Sequence, residues 1–245
     1  MNIYKPLQPG IPAQHKQNVS YQEFYPDTKC LAYCFWSLQA LEVLKDDFHY
    51  LILPDACVDI VFDLSPKPAF QGAFLMTSST VASTINLGKN FRYAGVRLLP
   101  GVWREQPGGI MGQTLELNKL KGWDFSRTRQ QLENAEPDQR HALLASLIVE
   151  LEQLGVIGTA TLANLKSFYH TVEDYMQLWS VSRRHTQRLF RRRLGFAPHD
   201  FIKIVRFQQS LRQGSFEDYA DQAHYIREFK RITDLTPREF QTKYR

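Results

Sequence analysis

The sequence predicts an α+β protein in which a β-rich, barrel-like N-terminal domain passes through a helical linker into an all-α C-terminal domain. Three observations carry this expectation. Short apolar runs separated by turn residues fill residues 31–98, at the spacing of a small barrel or sandwich. Residues 137–155 then carry one long leucine stripe, with a proline before it and a glycine after it. From Thr161 onward apolar residues recur at helical spacing between capping residues. The expected domains are residues 1–125, a linker at 126–157, and residues 158–245.

Residues 1–20 are polar, rich in Pro and Gln, and read as an arm or first edge segment. β-like runs follow at Leu31–Leu38, Tyr50–Leu53, Cys57–Leu64, Ala73–Met76, Thr80–Asn86 and Phe91–Leu98. Turn signals such as Pro54-Asp55, Ser65-Pro66-Lys67-Pro68 and Gly88-Lys89-Asn90 bound them. Cys57–Phe62 is almost continuously apolar, the pattern of a strand covered on both faces. Gly101–Arg104 is expected to open a short helix. Pro137-Asp138 starts the long helix, with Leu143, Leu144, Leu147, Ile148, Leu151 and Leu154 on one stripe and Gly155 ending it. That stripe either packs on its own barrel or pairs with a second copy of the chain. Gly155 to Ala160 is the expected domain boundary. Beyond it, Thr171 caps Val172–Leu178, Ser182 opens a helix that stops at Gly195, and His199–Leu211 forms the next. Asp221 caps Gln222–Thr233, and Asp234-Leu235-Thr236-Pro237 leads into Arg238–Tyr244.

Charge divides the chain the same way. Residues 158–245 hold 16 Lys and Arg against 9 Asp and Glu, which leaves 14 of the chain's 30 bases and 16 of its 25 acids in residues 1–157. A basic C-terminal module on a mildly acidic N-terminal one is the footprint of a protein whose tail meets a polyanion. Three cysteines, Cys30, Cys34 and Cys57, are too few for a disulfide scaffold and fit a reducing compartment. No apolar signal core or run of about 18 apolar residues is present, so the expected location is cytoplasmic, with no membrane partner.

The helix opened by Ser182 carries six arginines, at Arg183, Arg184, Arg188, Arg191, Arg192 and Arg193. Arg184, Gln187, Arg188 and Arg191 fall at i, i+3, i+4 and i+7 on one face, with Leu189, Phe190 and Leu194 turned away. Guanidinium and amide heads on a rigid helix suit the major groove, where Arg reads guanine and Gln reads adenine. A solvated basic face is the plain alternative. Against it, Leu194-Gly195-Phe196-Ala197-Pro198 is echoed by Thr233-Asp234-Leu235-Thr236-Pro237, each closing a basic helix with an inward Phe, at Phe190 and Phe229. Two copies of one reading unit about 40 residues apart are hard to account for as a solvated face.

These residues carry a family resemblance. Ser182-x-Arg184-x-x-x-Arg188-x-Phe190, Gly195-Phe196-x-Pro198 and Arg206 form a first motif. Asp221-Gln222-Ala223-His224-Tyr225-x-Arg227-x-Phe229-Lys230, Leu235-Thr236-Pro237 and Phe240 form a second. Together they resemble the C-terminal part of the AraC/XylS family of bacterial transcriptional regulators. The resemblance implies two helix-turn-helix units joined by a rigid helix, here His199–Leu211, entering successive major grooves of double-stranded DNA. By motif position it implies contacts from Arg183, Arg184, Gln187, Arg188 and Arg191 in the first unit. Gln222, Ala223, Ile226, Arg227 and Lys230 take that role in the second. Tyr33–Trp36, Ile52–Phe62 and Ala94–Leu98 are similar to the sensor-like domain of one branch of this family, which implies a β-rich fold.

Departures from the pattern are specific. Met176 and Ser180 stand where the family has a small residue and a glycine in the first unit's turn, and Thr186 stands for a leucine. The stretch between Arg206 and Asp221 is about ten residues shorter than in the family, the length of the second unit's positioning helix. Gly214–Ala220 is what remains.

Other chemistry is weaker. Cys30 and Cys34 on a strand lie about 13 Å apart and lack a second pair, so no metal is expected. Asp55 and Asp59 read either as paired carboxylates or, more plainly, as a turn Asp and a strand-face Asp. Gly88-Lys89 lacks the flanks of a phosphate loop, and no His forms a visible triad. The sequence therefore predicts a non-enzymatic, sequence-specific transcriptional regulator without cofactor. Its β-domain would act through a small-molecule effector, a partner or homodimerisation. The rival is a small-molecule-binding or enzymatic β-barrel whose helical tail is an interaction module.

Overall fold

Alternation along the strands decides how the N-terminal half is layered. In the computed structural model, which describes residues 4–8, 10–26, 30–105, 112–158 and 171–244, ten strands and seven α-helices are seen. The main sheet is antiparallel and contains β1 (Val19–Phe24), β2 (Ala32–Ala40), β4 (Val58–Asp63), β5 (Ala73–Met76), β7 (Arg92–Leu98) and β8 (Thr114–Leu117). Its order is β1-β2-β7-β4-β5-β8. β3 (His49–Ile52) pairs with β6 (Ser83–Asn86) as a separate ribbon, and β9 (Lys119–Leu120) with β10 (Trp123–Asp124) as another. The expected barrel is thus an open sheet covered by a ribbon. Among the described residues β1 and β8 are the edges, and the ribbon covers one face of the sheet.

Phe35, Ile60, Phe62, Ala94, Val96 and Leu98 point to one face of the main sheet. There they meet Phe125 and Leu132 of α1 (Phe125–Asn134) and Leu144, Leu147, Ile148 and Leu151 of α2 (Pro137–Gln153). The leucine stripe of α2 therefore packs on its own sheet. α1 lies in the linker expected to be helical but was not read as a separate element; the Asp124 carboxylate caps it by accepting from Ser126 N (3.0 Å). Cys34, Trp36, Leu38 and Val61 face the other way, toward the β3–β6 ribbon. Gly95 belongs to this layer: a Cβ there would lie 2.5 Å from the Trp36 ring, so only glycine lets the indole cross the sheet.

Gly101–Arg104 does not open a helix. Trp103 bridges to Ile157, Arg104 N donates to Val156 O (2.9 Å), and Gly158 N donates to Val102 O (3.1 Å). The chain returning from α2 offers these groups partners that a short isolated helix could not. Residues 159–170, across the expected boundary, lie outside the described residues.

The C-terminal half is helical: α3 (Val172–Trp179), α4 (Arg183–Leu194), α5 (Pro198–Gln213), α6 (Gln222–Thr233) and α7 (Pro237–Tyr244). Each falls within two residues of its expected limits, because the caps were legible. Thr171 Oγ1 accepts from Asp174 N (3.2 Å) while Asp174 accepts from Thr171 N (2.9 Å), a reciprocal box. Ser180 closes α3 in the left-handed region (φ 50°) where glycine is the unstrained choice.

α5 is buried on nearly every side. Phe201 packs toward Tyr175 and Phe190, and Phe207 toward Phe229. A third side meets the β half. Tyr4, Ala56 and Cys57 share a core with α3, α4 and α5, and Leu51 and Leu53 share one with α5, α6 and α7. Within this seam Gln208, 2% exposed, accepts from Leu7 N (2.7 Å) and donates to Pro54 O (2.8 Å). Gln208→Ala leaves both backbone groups unpaired, at about 1–3 kcal/mol each. Thermal denaturation should show a Tm lower by several degrees, at about 2–4 °C per kcal/mol for a chain of this size. An unchanged Tm would show that water replaces the clamp.

Candidate nucleic-acid interface and ligand cavity

α4 begins at Ser182, whose hydroxyl accepts from His185 N (3.3 Å). Thr186, Phe190 and Leu194 are its buried residues. Thr186, in place of an expected leucine, satisfies its hydroxyl internally on Ser182 O (3.2 Å). Phe190 lies 5.3 Å from Tyr175 and 5.4 Å from Phe201, both edge-on. This anchoring turns Arg184, Arg188 and Arg191 to solvent, with Gln187 half-buried at their flank. Among the described residues none of the three arginines pairs with a carboxylate; Arg188 Nη2 instead sits 3.2 Å from His185 Nδ1. Arg183 differs. Its guanidinium bonds Glu173 and so braces α3 against α4. The first turn of α4 contains no acid, so Arg183 and Arg184 oppose the helix dipole there, an arrangement that stability alone does not favour. Burial, with Arg192 and Arg104 nearby, lowers the pKa of Arg193 at the other end.

α6 is capped by Asp221, which accepts from His224 N (2.7 Å), and buries Phe229, Ile232 and Thr233. Gln222, Ala223, Ile226, Arg227 and Lys230 are exposed along it. Arg231, beyond them, is paired bidentately with Glu228 (2.9 and 3.1 Å). No helix occupies residues 214–221, as the shortened spacing implied. The loop nevertheless supports α6 with aromatic rings. Phe216 stacks on Tyr225 at 6.1 Å, Tyr219 lies 5.1 Å from Tyr225, and the Arg206 guanidinium sits 5.8 Å over the Tyr219 ring.

A cavity of about 390 Å³ opens between the main sheet and the β3–β6 ribbon. Tyr21, Trp36, Tyr50, Phe74 and Tyr93 form aromatic walls. At one end lie Asp59 and Arg97. Arg97 is 4% exposed and spreads over three carboxylates: Glu23 at 3.1 Å, Asp55 at 3.1 Å and Asp59 at 3.2 Å. Burial opposes its charge, but Asp59, Tyr21 and Asp55 outweigh that and hold its pKa high. Burial pushes Asp59 up to about 6, with Arg97 pulling it back. Burial also raises the Cys34 and Cys57 thiols, which makes them poor nucleophiles.

Sequence reasoning set Asp55 and Asp59 aside as a turn residue and a strand residue. Asp55 does make the turn, accepting from Cys57 N (2.9 Å), but both carboxylates also meet on Arg97. The missed signal was Arg97 itself, a charge inside the apolar run of β7. Cys30 and Cys34 do not share a face as a regular strand would place them. A register shift between Ala32 and Cys34 sends Cys30 toward the α1–α2 core and Cys34 toward the cavity core. Among the described residues no cluster of metal-ligating side chains occurs, and no helix is long and apolar enough to cross a membrane.

Residues 26–111, which contain β2 to β7, match a family model described as a domain of unknown function (DUF6597). No curated protein matches the chain. Among solved structures, ToxT from Vibrio cholerae is similar at 9% identity, with 91% of this chain and 96% of that chain covered and a TM-score of 0.40. Unsaturated fatty acid-bound wild-type ToxT from Vibrio cholerae strain SCE256 is similar at 10% identity, covering 91% and 93%, with a TM-score of 0.41.

Asp59 yields a pH prediction. A carboxyl whose folded-state pKa, about 6, exceeds its unfolded value binds a proton more readily when folded. Its stabilising contribution is therefore present toward about pH 4 and is lost as pH rises through about 6, the reverse of the usual Asp. Asp59→Asn removes that contribution, so its Tm should fall relative to the wild type on acidification from about pH 7 to about pH 4. Parallel profiles over that range would refute the shift.

Proposed function

We propose that this protein is a sequence-specific, DNA-binding transcriptional regulator without catalytic activity, its β half acting as the sensor. The observation that supports this best is the α4 face. A helix locked by Phe190 presents Arg184, Gln187, Arg188 and Arg191 outward, with three guanidinium heads lacking a carboxylate partner among the described residues. Such heads suit guanine edges and phosphates, and Gln187 suits adenine. α6 supplies a second face, where Gln222 and Arg227 are polar contacts, and Ala223 and Ile226 suit a thymine methyl. Lys230 meets phosphate in this reading, and Arg183 helps mainly by bracing the turn. The buried α5 fixes one reading helix relative to the other, as two half-sites on one DNA face require.

The ligand cavity supports a small-molecule effector. It also favours the rival reading, a ligand-binding β-domain with a helical interaction tail. Selection of genomic fragments by the full-length chain separates the two, since a regulator enriches a defined sequence and its affinity falls steeply with salt. No enrichment at low salt would leave the rival standing.

Within the DNA-binding reading, α4 supplies most of the specificity, because α6 has no positioning helix before it and is held there by a loop alone. Arg188→Ala should cost about 1–3 kcal/mol and relax preference at one or two base positions, whereas Lys230→Ala should weaken all sequences alike. Gln222→Ala should change affinity more than preference. Mobility shifts on the selected site and on scrambled DNA measure each variant. Equal losses on both DNAs for Arg188→Ala would remove it as a reader, and a base preference lost with Gln222→Ala would promote α6 to equal rank.

A further inference from the structure

We propose that the cavity between the main sheet and the β3–β6 ribbon takes an organic cation: an amine with a small apolar or aromatic body. The first argument is charge. Arg97 provides one positive charge to Glu23, Asp55 and Asp59, and among the described residues no other cation pairs with these three carboxylates. The polar end of the cavity is thus short of positive charge. Arg97 itself, spread over three carboxylates, has no face to offer an incoming anion. The carboxylate shared between this cluster and the cavity lining is Asp59.

The second argument is the wall. Tyr21, Trp36, Tyr50, Phe74 and Tyr93 surround the space, and aromatic faces attract cations most strongly where water is excluded. The volume, about 390 Å³, is that of a site for a small organic molecule. The third is an unused hydrogen-bonding group. Tyr50, 8% exposed and part of the cavity wall, has a hydroxyl with no hydrogen-bond partner among the described residues. An unmet buried hydroxyl is costly unless a ligand or water meets it. An ammonium N–H donates to its oxygen and to Asp59, while the carbon body fills the apolar space beside Phe74, Val61 and Leu38. Shape alone would admit a fatty or aromatic acid equally well; charge separates the two.

This assignment rests on the reading of the cavity as the effector site only for its regulatory consequence, and binding is measured without DNA. Isothermal titration of the full-length protein with 4-phenylbutylamine, 4-phenylbutanol and 4-phenylbutyrate compares a cation, a neutral molecule and an anion on one carbon frame. The amine should bind at least tenfold tighter than the alcohol, and the acid more weakly than either. Asp59→Asn should bring the amine down to the alcohol's affinity. Ile85→Trp, on the exposed ribbon strand beside the cavity, should block the amine without requiring any change in the charge cluster. Acid binding as tight as the amine's, equal affinity of amine and alcohol, or no binding of any of the three overturns the proposal. A failure of the protein to select DNA, with amine binding intact, overturns the regulator reading alone.

Discussion

One buried amide stands at the centre of the seam between the two halves of this molecule. Gln208 lies on α5, among apolar residues, and spends both ends of its side chain on backbone groups distant in sequence, Leu7 N and Pro54 O. Leu53 N and O are met in turn by Gln8, whose amide also donates to Asp55 (2.9 Å). The N-terminal segment is thus stitched between the β3–β4 connection and the central helix. Apolar cores flank the stitch on both sides, one through Tyr4, Ala56 and Cys57 and the other through Leu51 and Leu53. Hydrophobic burial supplies the attraction, but it is non-directional. Hydrogen bonds that cannot be left unmade fix the register between helix and sheet.

A second constraint sits on the far side of the same connection. Arg97 is a full charge inside the sheet, tolerable only because three carboxylates surround it. Those carboxylates come from β1, β4 and the loop between β3 and β4, so the cluster ties an edge strand, a central strand and the connection to one guanidinium. Three acids on one base leave the cluster with an excess of negative charge, which makes it sensitive to what enters the neighbouring cavity.

The helical half was legible in the sequence because its ends are written in local chemistry. Thr171, Ser182 and Asp221 cap by side-chain hydrogen bonds, and Gly195, Gly214 and Asp234 turn the chain in the left-handed region. The central strands were legible through their apolar runs. What escaped was long-range. β1 and β8 are half-exposed edge strands with weak alternation, and α1 depends on a short ribbon before it. The cavity escaped because aromatic residues on five strands read individually as core. The aromatic support of α6 escaped because Phe216 and Tyr219 resemble loop residues until Tyr225 and Arg206 are brought to them.

How a ligand in the β half would reach α4 and α6 follows from the β3–β4 connection, which faces both ways. Ile52 and Asp59, at its ends, line the cavity, while Leu53, Pro54, Ala56 and Cys57 between them contact the helices or their clamp. Ala56 is fully buried with φ at 57°, a left-handed conformation that costs a non-glycine residue about 1–2 kcal/mol. Strain of this kind persists only where surrounding contacts over-determine it. Here they come from both sides, so a change in the cavity and a change in helix packing act on the same few residues. A ligand shifts such a system only by as much as it prefers one arrangement over the other. The geometry that makes preference available is a charge cluster at one end of the cavity whose Asp55 is also the first residue of the turn gripping α5.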